Sequence, residues 1–147
     1  MKPFPHCYQV TASAGEQSAV ELESNGLKSI MSSPPVEFDG PGDLWSPETL
    51  LVGAIADCFI LTFRAIAKAA RVRWISLTCD ANGTVDLSNG NTSFTAVQLR
   101  ARLVIPDSTE MQRAEELLDK TKKACLISNS LKCTPTFKVD VAIELAA

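Results

Sequence analysis

The sequence predicts an α+β domain, and three observations carry the prediction. Short segments of alternating apolar and polar residues open the chain, a long apolar helical segment follows from Trp45 to Arg71, and a second capped helix leads into a closing alternating strand. At 147 residues the chain suits one domain over 1–147, long enough to bury a core. Hydrophobic content of 46% and charged content of 21% are those of an ordinary globular protein. A net charge of −3 lacks the basic footprint that nucleic acid or an anionic membrane demands, so neither is an expected partner.

Tyr8 to Ala12 and Ala19 to Glu23 alternate, and the latter is joined to Leu27 through Met31 by Asn25-Gly26, the signal of a tight hairpin. The opening MKPFPHCYQV lacks the apolar run of a secretory signal, which points to the cytoplasm. His6 and Cys7 lie near this end and receive no role. Ser32 to Leu44 is a loop dense in proline and glycine, and its Gly40-Pro41-Gly42 sits in no Walker or dinucleotide pattern, so it reads as a turn. Glu37 reads as an exposed loop acid.

The loop delivers the chain to a helix start with Ser46 as N-cap, Pro47 at the first helical position and Glu48 in the first turn. From Leu50 to Phe63 only Asp57 and Thr62 are neither apolar nor small, so most of the circumference is expected to be buried. That apolar run is shorter than the ~20 residues of a membrane span. At about 100° per residue, Leu51, Ala54, Ile55, Thr62 and Ala65 share the face of Cys58. Asp57, Arg64 and Lys68 form a second stripe that should meet solvent or another polar surface. Glu48 precedes Cys58 by about 15 Å of helix, so chemistry between them requires a second subunit.

Val72 to Asp80 reads as a strand with Ile75, Leu77 and Cys79 on one face, which makes Cys79 a core residue. Turn signals at Asn82-Gly83 and Asn89-Gly90 lead into Phe94 to Ile105, where Val97, Leu99, Ala101 and Leu103 face one way and Gln98, Arg100 and Arg102 the other. Asp107 is an N-cap that Glu110 can answer in a capping box. A break near Lys122 and Lys123 starts a short new helix around Cys125, where lysine charge or a helix N-terminus would favour a thiolate. The last strand, Phe137 to Leu145, has apolar residues at its odd positions. The five cysteines, Cys7, Cys58, Cys79, Cys125 and Cys133, form no C-x-x-C pair and His6 is the only histidine, so zinc is not expected. Taken alone, a cysteine such as Cys58 in an apolar helix is more often a small core residue than a nucleophile.

The arrangement of motifs adds to this reading. PPVEFDGPGDLWSPETLLVGAIADCF, then a hairpin, then ACLISNSL before a closing strand, resembles the OsmC/Ohr family of osmotically inducible and organic hydroperoxide resistance proteins. Ser46, Pro47 and Glu48, with Cys58 ten residues on, match its first motif, and Cys125, Ile127, Ser128, Ser130 and Leu131 its second. The resemblance implies an OsmC-like fold, with antiparallel sheets around two central helices in an intertwined homodimer. It further implies a thiol peroxidase reducing organic hydroperoxides without metal, haem or flavin. Cys58 would be oxidised to a sulfenic acid, Cys125 would resolve it as a disulfide, and an external thiol or dithiol would restore both. Glu48 of the other subunit would help stabilise the thiolate and orient the peroxide. The apolar face near Cys58, with Leu51, Ile55 and Phe59, would suit an organic tail. Cys133 is a weaker candidate for the resolving thiol. The family's arginine belongs in the early strand region, yet no arginine precedes Arg64, and TASAGEQSAV offers Glu16 and Gln17. Lys28, Arg64 and Arg100 remain as cations. The alternative on the same fold is a protein that binds a hydrophobic ligand or senses redox state.

Overall fold

Alternation in the first third of the chain produces a small antiparallel sheet of β1 (Thr11–Ser13), β2 (Val20–Glu23) and β3 (Ile30–Ser32), in that order. The structure, a computed structural model, describes residues 2–144 and clusters into two compact units, Met1–Leu50 and Leu51–Ala147. Asn25-Gly26 does form a turn, with the Leu27 N–H donating to Ser24 O at 3.1 Å. It is not the predicted tight hairpin, because the first strand pair beyond it is Leu22 with Ile30. The physical reason is that Gly26 alone takes a left-handed φ, of 75°, whereas a two-residue hairpin of the Asn-Gly type needs both central residues there. Gly40 is a turn residue for a steric reason, since a Cβ on it would lie 1.8 Å from the Pro34 carbonyl oxygen.

Ser46 caps the next helix as expected. Its hydroxyl accepts from the Thr49 N–H at 3.2 Å, and Thr49 Oγ1 accepts from the Ser46 N–H at 2.8 Å. This is a capping box with threonine in the place of the usual acid or amide. The helix, α1, runs Pro47–Ala70 without interruption. Arg71 then turns left-handed at φ 56°, and the Val72 and Arg71 N–H groups bond back to Ala67 O and Lys68 O, the double closure of a Schellman end.

The second unit contains a sheet ordered β4-β5-β6, with β4 Ser76–Ser88, β5 Asn91–Ile105 and β6 Thr136–Ile143. β4 and β5 are an antiparallel hairpin closed at Asn89-Gly90, both left-handed. β6 runs parallel to β5, so this sheet is mixed rather than wholly antiparallel, a pairing that requires a long crossover. Asn82-Gly83 is no turn. The two residues pair with Gln98 and Val97 inside β4, and Gly83 leaves room for packing, since a Cβ there would come within 2.5 Å of the Phe94 ring and 2.8 Å of Val52. Val97, Leu99, Ala101, Leu103 and Ile105 are buried while Gln98, Arg100 and Arg102 are exposed, as the alternation predicts. Ile75 falls before the strand and is exposed instead of sharing the burial of Leu77. Leu145 of the predicted last strand lies outside the described residues.

Against the inner sheet face α1 packs a single stripe, Ile55, Phe59, Phe63 and Ala67, all fully buried. Phe59 stacks on Phe137 at 5.8 Å and Phe63 meets Trp74 edge-on at 5.6 Å. The expectation that most of the helix circumference is buried is therefore corrected. One layer covers one stripe, and Leu61 on the uncovered side is 47% exposed. By length and composition alone α1 could cross a bilayer, and its one buried stripe packs on the sheet.

The crossover from β5 to β6 carries α2 (Met111–Ala124) and the short α3 (Leu126–Asn129). Asp107 caps a 3-10 turn, Ser108–Glu110, accepting from the Thr109 N–H at 2.9 Å. Glu110 does not close the predicted capping box; its carboxylate lies 3.7 Å from both Arg73 and Arg113. α2 ends at Ala124 because Cys125 adopts an extended ψ of 105°, and α3 starts afresh one residue later.

Candidate active site

Helical geometry and the break after Ala124 bring two cysteines together. Cys58 sits half-buried beside the core stripe of α1, and Cys125, fully buried, occupies the hinge between α2 and α3. All five cysteines are free thiols. Thr62, one turn beyond Cys58, places its hydroxyl 3.8 Å from the Cys58 sulfur. Ser128, in the first turn of α3, donates its hydroxyl to Cys125 Sγ at 3.2 Å.

The electrostatics of the pair are asymmetric. Burial pushes the Cys58 thiol up, but it is outweighed by the Ile127 N–H, the Cys125 side chain, the Thr62 hydroxyl and the Leu126 N–H, so Cys58 lies below its ordinary value of 9.0. Cys125 is raised, by burial first and also by its neighbour Cys58, against the lowering effect of the Ser128 hydroxyl and N–H. Between the two sulfurs, the proton stays on Cys125 and the charge develops on Cys58. The free helix start predicted near Cys125 exists, yet its first N–H groups serve Cys58. The expectation of a thiolate favoured at Cys125 is corrected, because burial, with Cys58 adding to it, outweighs the Ser128 hydroxyl and N–H that face its sulfur.

The other cysteines differ. Cys79 faces the core from β4 and burial pushes it up to about 11, with the charges of Asp80 and Cys125 adding to the shift. Cys7 is exposed and Cys133 half-buried. Glu48, in the first turn of α1, has its Oε2 buried with no hydrogen-bond partner. None of the main influences on Cys58 is a cation. Arg64 and Lys68 point to solvent with Asp57, as the helical stripe predicts, and Arg100 lies on the outer sheet face. Ile55 and Phe59 are sealed in the core and cannot line an open tail site, which corrects the expected apolar face. Leu51 and the exposed Leu126 remain available. A groove of about 530 Å³ over the outer sheet face, among Asp80, Arg100 and Lys138, faces away from both thiols. Thr62 and Ser128 received no role from sequence, although i,i+4 spacing from Cys58 and i,i+3 spacing from Cys125 were visible signals.

The profile of OsmC-like proteins matches residues 40–140. The chain belongs to the OsmC-like protein family. It is 25% identical over 127 residues to the uncharacterized protein YmaD of Bacillus subtilis (strain 168), covering 84% of both chains. An OsmC-like protein of unknown function from Vibrio cholerae superposes with a TM-score of 0.84 at 23% identity, over 92% of this chain and all (100%) of that one. An organic hydroperoxide resistance protein from Elizabethkingia anophelis superposes with a TM-score of 0.73 at 22% identity, over 96% of this chain and 100% of that one. The OsmC-like α+β fold is thus shared with proteins named for hydroperoxide resistance and with others of unknown function.

Proposed function

We propose that this OsmC-like chain is a thiol peroxidase that reduces organic hydroperoxides. The observation that carries the reading is the pairing of two free thiols, Cys58 on α1 within side-chain reach of the buried Cys125 at the junction of α2 and α3, and the lowered Cys58 supports it. The Cys58 thiolate attacks the distal peroxide oxygen, the O–O bond breaks, Cys58 becomes a sulfenic acid, and the departing alkoxide takes a proton from water to leave as the alcohol. Cys125 resolves it as a disulfide with loss of water, and an external thiol or dithiol returns both cysteines to thiols. Leu51 and Leu126 offer apolar surface to an organic tail.

The reading extends to a cytoplasmic homodimer of single OsmC-like domains, each covering 1–147. The family match crosses the boundary between the two compact units, which supports one domain. Exposed apolar side chains on α1 and on the strands before it, Leu61, Ile30 and Met31 among them, support a second copy as their cover. Glu48, ten residues from Cys58 on one helix, would act on the Cys58 of that copy, and its unpartnered buried oxygen supports a role beyond its own chain. The second reading, ligand binding or redox sensing, is favoured by one observation: no arginine precedes Arg64, and the donors that lower Cys58 within its own chain are neutral.

Mixing the reduced protein with cumene hydroperoxide and following peroxide loss tests the two. Turnover that disappears in Cys58→Ser, with a Cys58–Cys125 disulfide detected by mass spectrometry, is the expected result. Thiols that stay reduced while peroxide persists would overturn the peroxidase.

A further inference from the structure

Ser128 is 5% exposed, and its hydroxyl is spent on a sulfur rather than on the backbone of its own short helix. A buried hydroxyl placed on a thiol that already carries a proton does little for that thiol, so its use must lie in another state of the site. We propose that Ser128 is a positioning residue for the resolving step, holding negative charge at Cys125 once Cys58 has become a neutral sulfenic acid. The proposal rests on the peroxidase reading above.

The groups around Cys125 support this order of events. From α1 it faces Cys58, and from β4 it faces Cys79, itself held protonated. β5 and β6 turn Leu99, Ala101, Leu103, Phe137, Val139 and Val141 inward, while Arg100, Arg102, Lys138 and Asp140 point outward. On its own element Lys122 is engaged by Asp119 at 2.7 Å and Lys123 is exposed. The titratable influence on Cys125 that the reaction changes is therefore Cys58. While Cys58 is anionic it accepts toward the Cys125 thiol and repels charge there. When peroxide converts it to the sulfenic acid, both effects end, and the Ser128 hydroxyl and N–H remain to offset burial. Cys125 Sγ then attacks Cys58 Sγ: the S–S bond forms, the S–O bond breaks, and the hydroxide leaves as water with the Cys125 proton. Cys125 is oxidised by one unit and Cys58 reduced by one. The charge on Cys58 thus delays its own partner until oxidation removes it.

The test has two arms. In the first, Cys125 is alkylated with iodoacetamide across pH and quantified by peptide mass spectrometry. Cys58→Ser, which removes the neighbouring charge, should lower the pH midpoint of Cys125 labelling. Adding Ser128→Ala should raise it again and slow labelling at pH 7 by about 10-fold, the worth of one hydrogen bond to a charged group. Ser128→Thr against Ser128→Val, equal in shape and different in the hydroxyl, gives the same comparison should the alanine variant fold poorly. A midpoint indifferent to the hydroxyl in folded variants overturns the proposal. In the second arm, stopped-flow mixing with cumene hydroperoxide resolves Cys58 oxidation from disulfide formation. The ratio of second to first rate should fall about 10-fold in Ser128→Ala, with more Cys58 sulfinic acid. If Cys58 oxidises and that ratio holds, the role of Ser128 alone falls; if Cys58 never oxidises, the peroxidase reading falls with it.

Discussion

Cys58 on α1 and Cys79 on β4 have much in common: both are half-buried, both lie against the same core, and neither has a cationic partner. Yet one is lowered and the other raised to about 11. Burial raises both, so burial does not separate them. What separates them is the supply of donors. Cys79 sits on β4 opposite Ala101 of β5, no hydrogen-bond donor offsets its burial, and its chain neighbour is the acid Asp80. Cys58 faces a helix start whose first N–H groups have no intrahelical acceptor, and it has a hydroxyl one turn away. In this chain it is hydrogen-bond donors, not exposure or a cation, that bring the Cys58 thiol below its ordinary value.

The largest effect expected from this difference is in thiol labelling. At pH 7 a thiol at about 11 is ionised on the order of one part in ten thousand. Iodoacetamide at that pH should therefore modify Cys58 at least ~100-fold faster than Cys79, read peptide by peptide. Equal rates for the two in the folded protein would remove the donor account altogether.

Much of this arrangement was legible in the residues. Capping at Ser46, the period of α1, the alternation of β5 and the break before α3 all follow from local chemistry, and each lands within a few residues of its predicted place. What failed depended on the third dimension. Asn82-Gly83 has the composition of a turn, but its glycine serves the approach of Phe94 and Val52, which no local window contains. The uncovered side of α1 was invisible for the same kind of reason, because apolar composition says that a face seeks cover and not which chain supplies it. At the site, Cys58 and Cys125 were found through motif resemblance. The direction of the proton between them depends on where the α3 N–H groups aim, and that is set by the Cys125 ψ angle rather than by any residue type.

A smaller effect concerns stability at high pH, where the two thiols act with opposite signs. Cys79 rises from 9.0 to about 11 on folding, so the folded state holds its proton more tightly than the unfolded chain. Its contribution is complete below pH 9 and is lost as pH climbs through about 11. Cys58 is lowered on folding, and its contribution is present above the ordinary value of 9.0 and lost as pH falls through the folded value. Replacing Cys79 by alanine should cost about 1 kcal/mol near pH 8, through lost packing of one small side chain. That cost should shrink in urea melts repeated near pH 11. A gap between variant and wild type that stays constant across this range would mean that Cys79 is not held as a buried thiol.

The smallest effect, and the one that dissects the donors at Cys58, belongs to Thr62. Its hydroxyl is 3.8 Å from Cys58 Sγ, long for a hydrogen bond even to sulfur, and it contributes less to the shift than the Ile127 N–H. Thr62→Val keeps the shape and the β-branching and deletes only the donor, so the helix should be unchanged. Cys58 labelling at pH 7 should then slow by roughly 2–5-fold, the range of a weak net hydrogen bond. Thr62→Ser, which keeps the hydroxyl, should remain closer to wild type. A loss well beyond this range would make the side chain on α1 the main source of thiolate character. No loss at all would leave the N–H groups of α3, with Cys125 at their junction, as the source. Ionisation of Cys58 would then depend on a break in the chain nearly seventy residues away in sequence, and any substitution that let α2 run straight through Cys125 should abolish it.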